Sequence, residues 1–300
     1  MLENIIIVKK PTQLEELRRR HTTDTQIKFY LESRGESFAF YQRAHDAYHD
    51  GLQKTVAAIP RSARFQILER EYLPNFQFGN KDAVVSVGDD GLFVNLAKYV
   101  GTQPVIVVNP DPKHTSAVLA SCTTEEFPKL LAKTLQEKSD LELLTMAEAK
   151  LEDGQIVYGL NDIFVGMRTH ISARYEIEYN RGKERQSSSG IIICTGTGST
   201  AWMSSKAAEV RSYGGTFAEV PYKRDAAHLV FAVREPYPSN HTQTNIVHGK
   251  IGAQPLRITS QMPANGVIYS DGVEDDYLEF NAGKTATIRP SEKKVHRVIG

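Results

Sequence analysis

The stretch Val84-Val85-Ser86-Val87-Gly88-Asp89-Asp90-Gly91 decides the fold of the first part of the chain. A run typical of a buried β-strand leads into a glycine turn, and a helical pattern follows the turn. Strands that feed helices in this way build open parallel sheets, whose ligands lie at the carboxyl ends of the strands. The loop Gly88–Gly91 is therefore the first candidate site, because glycines let a phosphate approach the backbone and a helix N-terminus favours anions. Its two Asp residues suit a metal ion or a base better than direct phosphate contact, and the pattern leaves open an Asp-Gly turn that only caps a helix.

The remaining pattern divides the chain into two parts. Strand signals near 5–8, 64–68 and 104–108 alternate with helical signals at 12–34 and 37–59. Short strands separated by turns dominate from 141 onward, and one of them is predicted over 155–165. Alternation indicates an α/β layer structure, and consecutive short strands indicate an antiparallel one. We predict an α/β domain with a parallel sheet over 1–115 and a β-rich domain over 116–300, with the boundary within 110–122.

Composition excludes several classes of protein. The 300 residues include 40% hydrophobic and 24% charged residues, which is typical of globular domains and not of disordered chains. The 36 basic and 36 acidic residues give zero net charge, so we expect no nucleic-acid partner and no anionic membrane surface. Two cysteines cannot form a disulfide framework. Neither a membrane-spanning run nor a signal peptide is visible, so we expect a cytoplasmic location.

The second candidate site follows the apolar run 191–194. Gly196-x-Gly198-x-x-Ala201 has the spacing of a dinucleotide-binding fingerprint. The helical segment after it is short for a crossover helix, and strand signals surround it. The pattern leaves two readings open, a nucleotide-binding loop and a Gly-Ser loop without a ligand.

Other features have weaker patterns. Asn161-Asp162 before an apolar strand indicates only a strand entry, and Asp271-Gly272 indicates only a turn. His45 and His49 share one face of a predicted helix, a spacing that can bind a metal ion, but the sequence offers no third ligand. A solvated or intersubunit face is the favoured interpretation. Cys194 ends an apolar strand, which predicts a buried and inert thiol.

Taken in order, the four loop motifs resemble those of the NAD kinases. The family has G-G-D-G-T, N-E, T-P-T-G-S-T-A-Y and D-G, and this chain has Gly88–Gly91, Asn161-Asp162, Thr195–Trp202 and Asp271-Gly272. Thr195-Gly196-Thr197, Ala201-Trp202 and the turn Asn109-Pro110-Asp111-Pro112 resemble the mitochondrial-type branch in particular. The resemblance implies the two-domain architecture that NAD kinases share with diacylglycerol kinases, which agrees with the α/β and β-rich parts.

The resemblance also implies an activity, namely transfer of the ATP γ-phosphate to the 2′-hydroxyl of the adenosine ribose of NAD(H). It implies Asp90 as the catalytic base and Gly88, Asp89 and Gly91 as the loop for the phosphate donor. The implied NAD-binding residues are Asn161, Asp162, Thr197, Gly198, Ser199, Thr200 and Ala201. ATP is expected to arrive with Mg²⁺, and no residue is assigned as a metal ligand. Family members are usually dimers or tetramers, which predicts a homodimer or homotetramer.

Two residues depart from the family pattern, Asp89 for the second glycine and Leu92 for the threonine. A carboxylate about 4 Å from a phosphate costs roughly 1 kcal/mol in water and ~4 kcal/mol at an effective dielectric of about 20. Three alternatives therefore stay open. They are a kinase of another hydroxyl acceptor such as a sugar, nucleoside or lipid headgroup, a catalytically silent nucleotide-binding protein, and an NAD-dependent oxidoreductase.

Overall fold

The computed structural model describes residues 2–217 and 219–300, and the chain divides into two units. The first unit consists of two segments, the chain up to Glu142 and Val295–Gly300. The second unit is the segment between them, Leu143–Lys294. Within the described residues, no helix is both long enough and apolar enough to cross a membrane.

The first unit is an α/β layer built on a parallel sheet. Its strands are β1 (Asn4–Lys9), β2 (Arg64–Glu69), β3 (Asp82–Val87), β4 (Pro104–Asn109) and β5 (Cys122–Thr123). Its helices are α1 (Gln13–Arg20), α2 (Asp24–Glu32), α3 (Phe38–Ala57), α4 (Asp90–Ala97) and α5 (Phe127–Leu135). The strands β2, β1, β3, β4 and β5 pair side by side in that order, all parallel. The predicted parallel sheet is thus confirmed.

Helices cover the sheet because its central strands are apolar on both faces. Every residue of β3 is buried, the pattern expected of a parallel strand with a layer on each side. On one face, Val85 and Val87 pack in a core with Leu52 of α3 and Phe127 of α5. Helix α4 is itself buried from Leu92 to Ala97. The loop between β3 and α4 is therefore held at both ends by buried elements.

The end of the first unit differs from the predicted boundary within 110–122. Cys122 of β5 pairs with Val108 of β4, and Leu131 of α5 packs in the same core as Val108. Near the carboxyl end of the chain, His296 also pairs with Pro104 of β4. These contacts extend the first unit to Glu142 because β5 and α5 complete the sheet and its covering layer.

The second unit is mostly antiparallel, as predicted. Its strands are β6 (Leu141–Leu151), β7 (Ile156–Gly159), β8 (Asp162–Met167), β9 (Ala173–Tyr179), β10 (Gly182–Ser188), β11 (Ile191–Cys194), β12 (Leu229–Val233), β13 (His248–Ile251), β14 (Leu256–Ser260), β15 (Gly266–Ser270), β16 (Val273–Glu279) and β17 (Thr285–Val298). The first residues of β6, up to Glu142, and the last residues of β17, from Val295, belong to the first unit. Strands β13, β12, β11, β8, β15 and β16 form one sheet in that order, and strands β10, β9, β14 and β17 pair in another. Helix α6 (Trp202–Ser212) follows the glycine loop.

Strand β11 is apolar at every position because it is covered on both sides. Ile191 and Ile193 face a core that includes Tyr175 of β9, whereas Ile192 packs with Met203 of α6. The run 191–194 therefore lacks the alternation of a half-exposed strand. This two-sided burial fixes the end of β11, where the glycine loop begins.

Candidate functional site

The loop that follows β3 begins with Gly88, whose backbone conformation other residues rarely adopt. Gly88 has φ of +153°, a conformation that L-residues rarely adopt. Gly91 lies in the first turn of α4 at an ordinary φ, and a Cβ there would come no closer than 3.4 Å to Asp89. Gly88 and Gly91 were both predicted to admit phosphates, but only the backbone conformation at Gly88 requires a glycine.

Asp89 is the N-cap of helix α4. Its Oδ1 accepts a hydrogen bond from the Leu92 N–H at 3.1 Å, and its Oδ2 lies 2.7 Å from the Lys10 ammonium group. The family's glycine is thus replaced by a capping residue whose charge Lys10 partly offsets. Both side chains are partly exposed, so solvent screens this ion pair and its contribution to stability is small.

Replacing Asp89 with Ala is expected to lower the free energy of unfolding by about 1 kcal/mol, because Ala cannot cap α4. Asp89→Asn keeps a capping oxygen and removes only the charge, so we expect a smaller loss than for Asp89→Ala. Urea denaturation of both variants and of the unchanged protein measures the difference. Equal losses in the two variants would contradict the capping role.

Asp90 begins helix α4, and its carboxylate is held by the backbone of a distant loop. Oδ2 accepts from the Val118 N–H and Oδ1 accepts from the Leu119 N–H, both at 3.0 Å. Each carboxylate oxygen keeps further lone pairs, so the group can still accept a proton from a bound hydroxyl. The structure therefore gives the predicted base a fixed orientation.

In the second unit, three of the sequence motifs meet at one end of a sheet. Strand β8 lies between β11 and β15, with Asp162 opposite Cys194 and Ile163 opposite Ser270. Because both pairings are antiparallel, the beginning of β8 lies beside the ends of its two neighbours. The segments around 161, 196 and 271 therefore form one loop cluster.

Asp271 organises this cluster. Its carboxylate accepts from the backbone N–H groups of Leu160, Asn161 and Asp162 at 3.0, 2.7 and 3.2 Å. These bonds draw the backbone into a turn, so the single strand predicted over 155–165 is interrupted between β7 and β8. That prediction was wrong because Asp271, 111 residues from Leu160, binds N–H groups that a continuous strand would use in its ladder.

The glycine loop packs directly on the same turn. Thr195 donates its N–H to the Asn161 carbonyl at 2.9 Å and its hydroxyl to the Leu160 carbonyl at 2.5 Å. A Cβ at Gly198 would lie 1.9 Å from the Asn161 carbonyl oxygen, and one at Gly196 would lie 1.9 Å from the Lys223 carbonyl oxygen. Both glycines are thus required by close backbone approach, as the dinucleotide fingerprint expects of a glycine.

The hydroxyl groups of the loop differ in what they bind. Ser199 donates to the Gly196 carbonyl at 2.7 Å, so its hydroxyl stabilises the loop itself. In the described part of the chain, the Thr197 hydroxyl is buried and has no hydrogen-bond partner. Buried polar groups rarely stay unpaired in native proteins. A ligand that hydrogen-bonds to Thr197 would satisfy this group.

The residues predicted to bind NAD differ in their exposure to solvent. Asp162 and Gly198 are buried, Asn161 and Ala201 are half-buried, and Thr200 is exposed. No contact observed here assigns any of them to a ligand, so their roles in binding NAD stay predictions.

A pocket of about 240 Å³ in the second unit was not predicted from the sequence. Phe164, Tyr269 and Arg234 are among its lining residues, and the Phe164 and Tyr269 rings lie 5.0 Å apart. The Arg234 guanidinium also stacks 5.3 Å from the Trp202 ring centroid. Aromatic faces beside a guanidinium suit a planar ring that carries an anionic group. The lining also includes Met167 and Arg168 at the end of β8, so the pocket extends away from the loop cluster at the beginning of that strand.

The sequence did not indicate two features of this site, namely the Lys10 ammonium group beside Asp89 and the N–H groups of Val118 and Leu119 that bind Asp90. Lys10 directly follows β1 at the carboxyl edge of the parallel sheet, which is a signal that could have placed it beside Gly88–Gly91. The N–H groups of Val118 and Leu119 have no such signal, because a main-chain donor is present at nearly every position.

Cys122 and Cys194 are buried, and burial raises the pKa of each thiol to about 12. We expect both to be unreactive toward a thiol-specific disulfide reagent at pH 8 in the folded protein and to react on unfolding, since only the thiolate attacks. A fast reaction of either thiol in the folded protein would contradict this expectation. Because the folded pKa values are raised, the stability that these groups contribute is complete below pH 9 and declines as the pH rises toward 12.

Comparison with known proteins identifies relatives of this chain. Mitochondrial NAD kinase 2 of Rattus norvegicus is 25% identical over 249 residues, which cover 66% of this chain and 59% of the rat protein. The Homo sapiens protein of the same name is 26% identical over 249 residues, which cover 66% of this chain and 56% of the human protein. The chain thus spans less than two thirds of the length of these relatives. No protein-family model matches it.

Solved structures share the fold. Yeast NADH kinase complexed with NADH superimposes with a TM-score of 0.64 at 13% identity, covering 100% of this chain and 84% of the yeast chain. An NAD kinase from Archaeoglobus fulgidus in complex with ATP gives a TM-score of 0.58 at 15% identity, covering 99% of this chain and 93% of the archaeal chain. The predicted two-domain architecture is confirmed.

Proposed function

We propose that this chain, which is related to the NAD kinases, transfers the γ-phosphate of ATP to the 2′-hydroxyl of the adenosine ribose of NAD or NADH. The products would be ADP and NADP or NADPH. The observation that carries the proposal is the loop cluster of the second unit. There the Asn161-Asp162 turn and the glycine loop, two motifs that resemble NAD-binding segments, are in direct backbone contact.

The contacts of the cluster support a role in binding a dinucleotide. Asp271 fixes the turn before β8, and the close approach of Gly198 sets the loop against that turn. The unpartnered Thr197 hydroxyl offers a hydrogen-bonding group to a polar ligand such as a ribose. In this proposal, Asn161 and Asp162 bind the ribose, and the segment Thr197–Ala201 lies along the adenosine.

In the first unit, we assign the chemistry to the loop Gly88–Gly91. Asp90 takes the proton from the 2′-hydroxyl as the new bond forms between that oxygen and the γ-phosphorus. The bond from the γ-phosphorus to the bridging oxygen of ADP breaks in the same transfer. Phosphoryl transfer depends on positioning and charge neutralisation, and the hydrogen bonds from Val118 and Leu119 hold the base in one orientation.

Mg²⁺ would enter as part of the ATP substrate and neutralise charge on its phosphates. Asp89 and Asp90 offer the carboxylate oxygens that this hard cation prefers, and Asp89 is partly exposed. We infer that Lys10, which now pairs with Asp89 at 2.7 Å, would turn to a donor phosphate when a cation takes its place. This exchange would explain why a second acid is tolerated in the loop.

The experiment that tests the proposal is a coupled assay for NADP formation from NAD, ATP and Mg²⁺, with NADH in a parallel reaction. We expect turnover with at least one of the two acceptors. Calorimetric titration with NAD in the same buffer without ATP measures binding independently of turnover. Absence of both NADP formation and NAD binding would overturn the proposal.

A second candidate function is nucleotide binding without phosphoryl transfer. One observation favours it, because Asp89 adds a second carboxylate to the loop assigned to the donor phosphates. NAD binding without NADP or NADPH formation, with ATP present, would select this function over the kinase.

Other expectations stay predictions. They are a homodimer or homotetramer, a cytoplasmic location, and the absence of nucleic-acid and membrane partners. The rat and human relatives are named as mitochondrial proteins, so a location assay in the source cell would decide between the two compartments.

A further inference from the structure

The faces of helices α1 and α3 bring Glu15, His45 and His49 together. One possible ligand atom from each side chain lies within 4.8 Å of the other two. The Nε2 atom of His49 is 3.1 Å from Oε1 of Glu15, and the rings of His45 and His49 are 4.3 Å apart. Across residues 2–217 and 219–300, no other grouping of three such side chains is found. The spacing of the two histidines is visible in the sequence, and the fold adds Glu15 as a third possible ligand.

The capping box of α1 orients the carboxylate in this group. Oε2 of Glu15 accepts from the Thr12 N–H at 2.7 Å, which leaves Oε1 directed at His49. The Thr12 hydroxyl also forms a 2.8 Å hydrogen bond with Nδ1 of His45. In the tautomer in which Nδ1 donates this proton, Nε2 carries the lone pair that a metal ion needs. Such outer hydrogen bonds are typical of histidines that bind metals.

The donor chemistry selects the kind of ion. Two imidazoles and one carboxylate are a common set of three protein ligands for Zn²⁺, with water in the remaining position. The Glu15 and His49 side chains are 31% and 38% exposed, so water can reach the group. Imidazole suits Zn²⁺ and its neighbours in the transition series, whereas Mg²⁺ prefers oxygen ligands. We propose that Glu15, His45 and His49 bind a divalent transition-metal ion of the Zn²⁺ class.

A bound ion would tie α1 to α3 beside the loop Gly88–Gly91. The Tyr48 hydroxyl of α3 donates to the Val87 carbonyl at 3.1 Å and accepts from the Lys10 N–H at 3.3 Å. The same helix thus contacts the end of β3 on one side and carries both histidines on another. Because the ion binds only the folded arrangement, it is expected to raise the melting temperature. This site does not depend on the proposed kinase activity.

The test uses the full chain without an affinity tag, freed of metal with a chelator. Zn²⁺ is titrated by calorimetry, Co²⁺ is titrated with the visible spectrum recorded, and melting is measured with and without Zn²⁺. The variants are His45→Ala, His49→Ala and Glu15→Gln, the last of which keeps a side chain able to complete the capping box. His241→Ala removes an exposed histidine of the second unit and is the matched control.

We expect one ion per chain, a Co²⁺ spectrum of low coordination number, and a melting temperature that Zn²⁺ raises. Loss of an outer partner alone weakens metal binding about 10–100-fold, so loss of a ligand is expected to weaken it at least about tenfold. The control should bind like the unchanged protein. Absence of binding in the unchanged protein, or equal binding in all four variants, would overturn the assignment. Melting of each variant without metal separates loss of a ligand from loss of folding.

Discussion

Replacing Asp90 with Asn is expected to reduce NADP formation about 10²–10⁴-fold, the usual contribution of a general base. NAD affinity should remain nearly unchanged, because the residues assigned to the dinucleotide are in the second unit. The rate is measured by the coupled assay and the affinity by calorimetry. An unchanged rate would remove Asp90 from the catalytic role.

The variant also changes the hydrogen bonds that hold the loop. Asn offers one acceptor oxygen to the N–H groups of Val118 and Leu119 and turns an amide donor toward the other, which costs about 1–3 kcal/mol of stability. Its melting temperature must therefore be measured beside its activity, at a temperature where it is fully folded. Asp50→Asn removes the same charge from an exposed position of α3 and is the matched control. A similar loss of activity in that control would show that removal of a negative charge, and not loss of the base, lowers the rate.

Replacing Gly198 with Ala is expected to lower the free energy of unfolding by about 2–3 kcal/mol, the upper range for inserting atoms into a packed site. The new Cβ would lie 1.9 Å from the carbonyl oxygen and 2.4 Å from the carbonyl carbon of Asn161. Backbone atoms cannot rotate away as a side chain would, so the loop must move away from the turn before β8. We expect NAD affinity to fall at least about tenfold, since a displacement that costs 1.4 kcal/mol in binding already has this effect.

Gly252→Ala is the control for this second prediction. Gly252 has no positive φ, and a Cβ there would have no neighbouring heavy atom within 4 Å. We expect its stability to stay within about 0.5 kcal/mol of the unchanged protein and its NAD affinity to stay the same. Urea denaturation and calorimetry with NAD compare the two variants. Equal behaviour of Gly198→Ala and Gly252→Ala would contradict the close packing of the loop on the turn.

Asp89 is the residue to which the tertiary structure adds most. A second acid in a phosphate loop suggested repulsion of the donor, and the isolated motif contains nothing to offset its charge. The structure supplies both a use and a partner, because Asp89 caps α4 and pairs with Lys10, which is 79 residues away in the chain. The capping role is a local property that sequence reasoning can find, whereas the ion pair depends on β1 and β3 being neighbours in the sheet.

The sequence by itself determined the local units of this protein. The apolar run before Gly88 specified a buried strand, and the glycines at 196 and 198 marked close backbone approach, because these features depend on neighbouring residues and short periods. The order of the motifs also indicated the resemblance to the NAD kinases, to which the chain is similar in sequence and fold.

Only the tertiary structure decided which of these units meet. Asp271 binds the turn at Asn161 because β8 lies between β11 and β15, and the beginning of one antiparallel strand adjoins the ends of its neighbours. Glu15 joins His45 and His49 because α1 packs beside α3. Strand order and helix packing follow from burial summed over a whole unit, and no short stretch of sequence contains that sum.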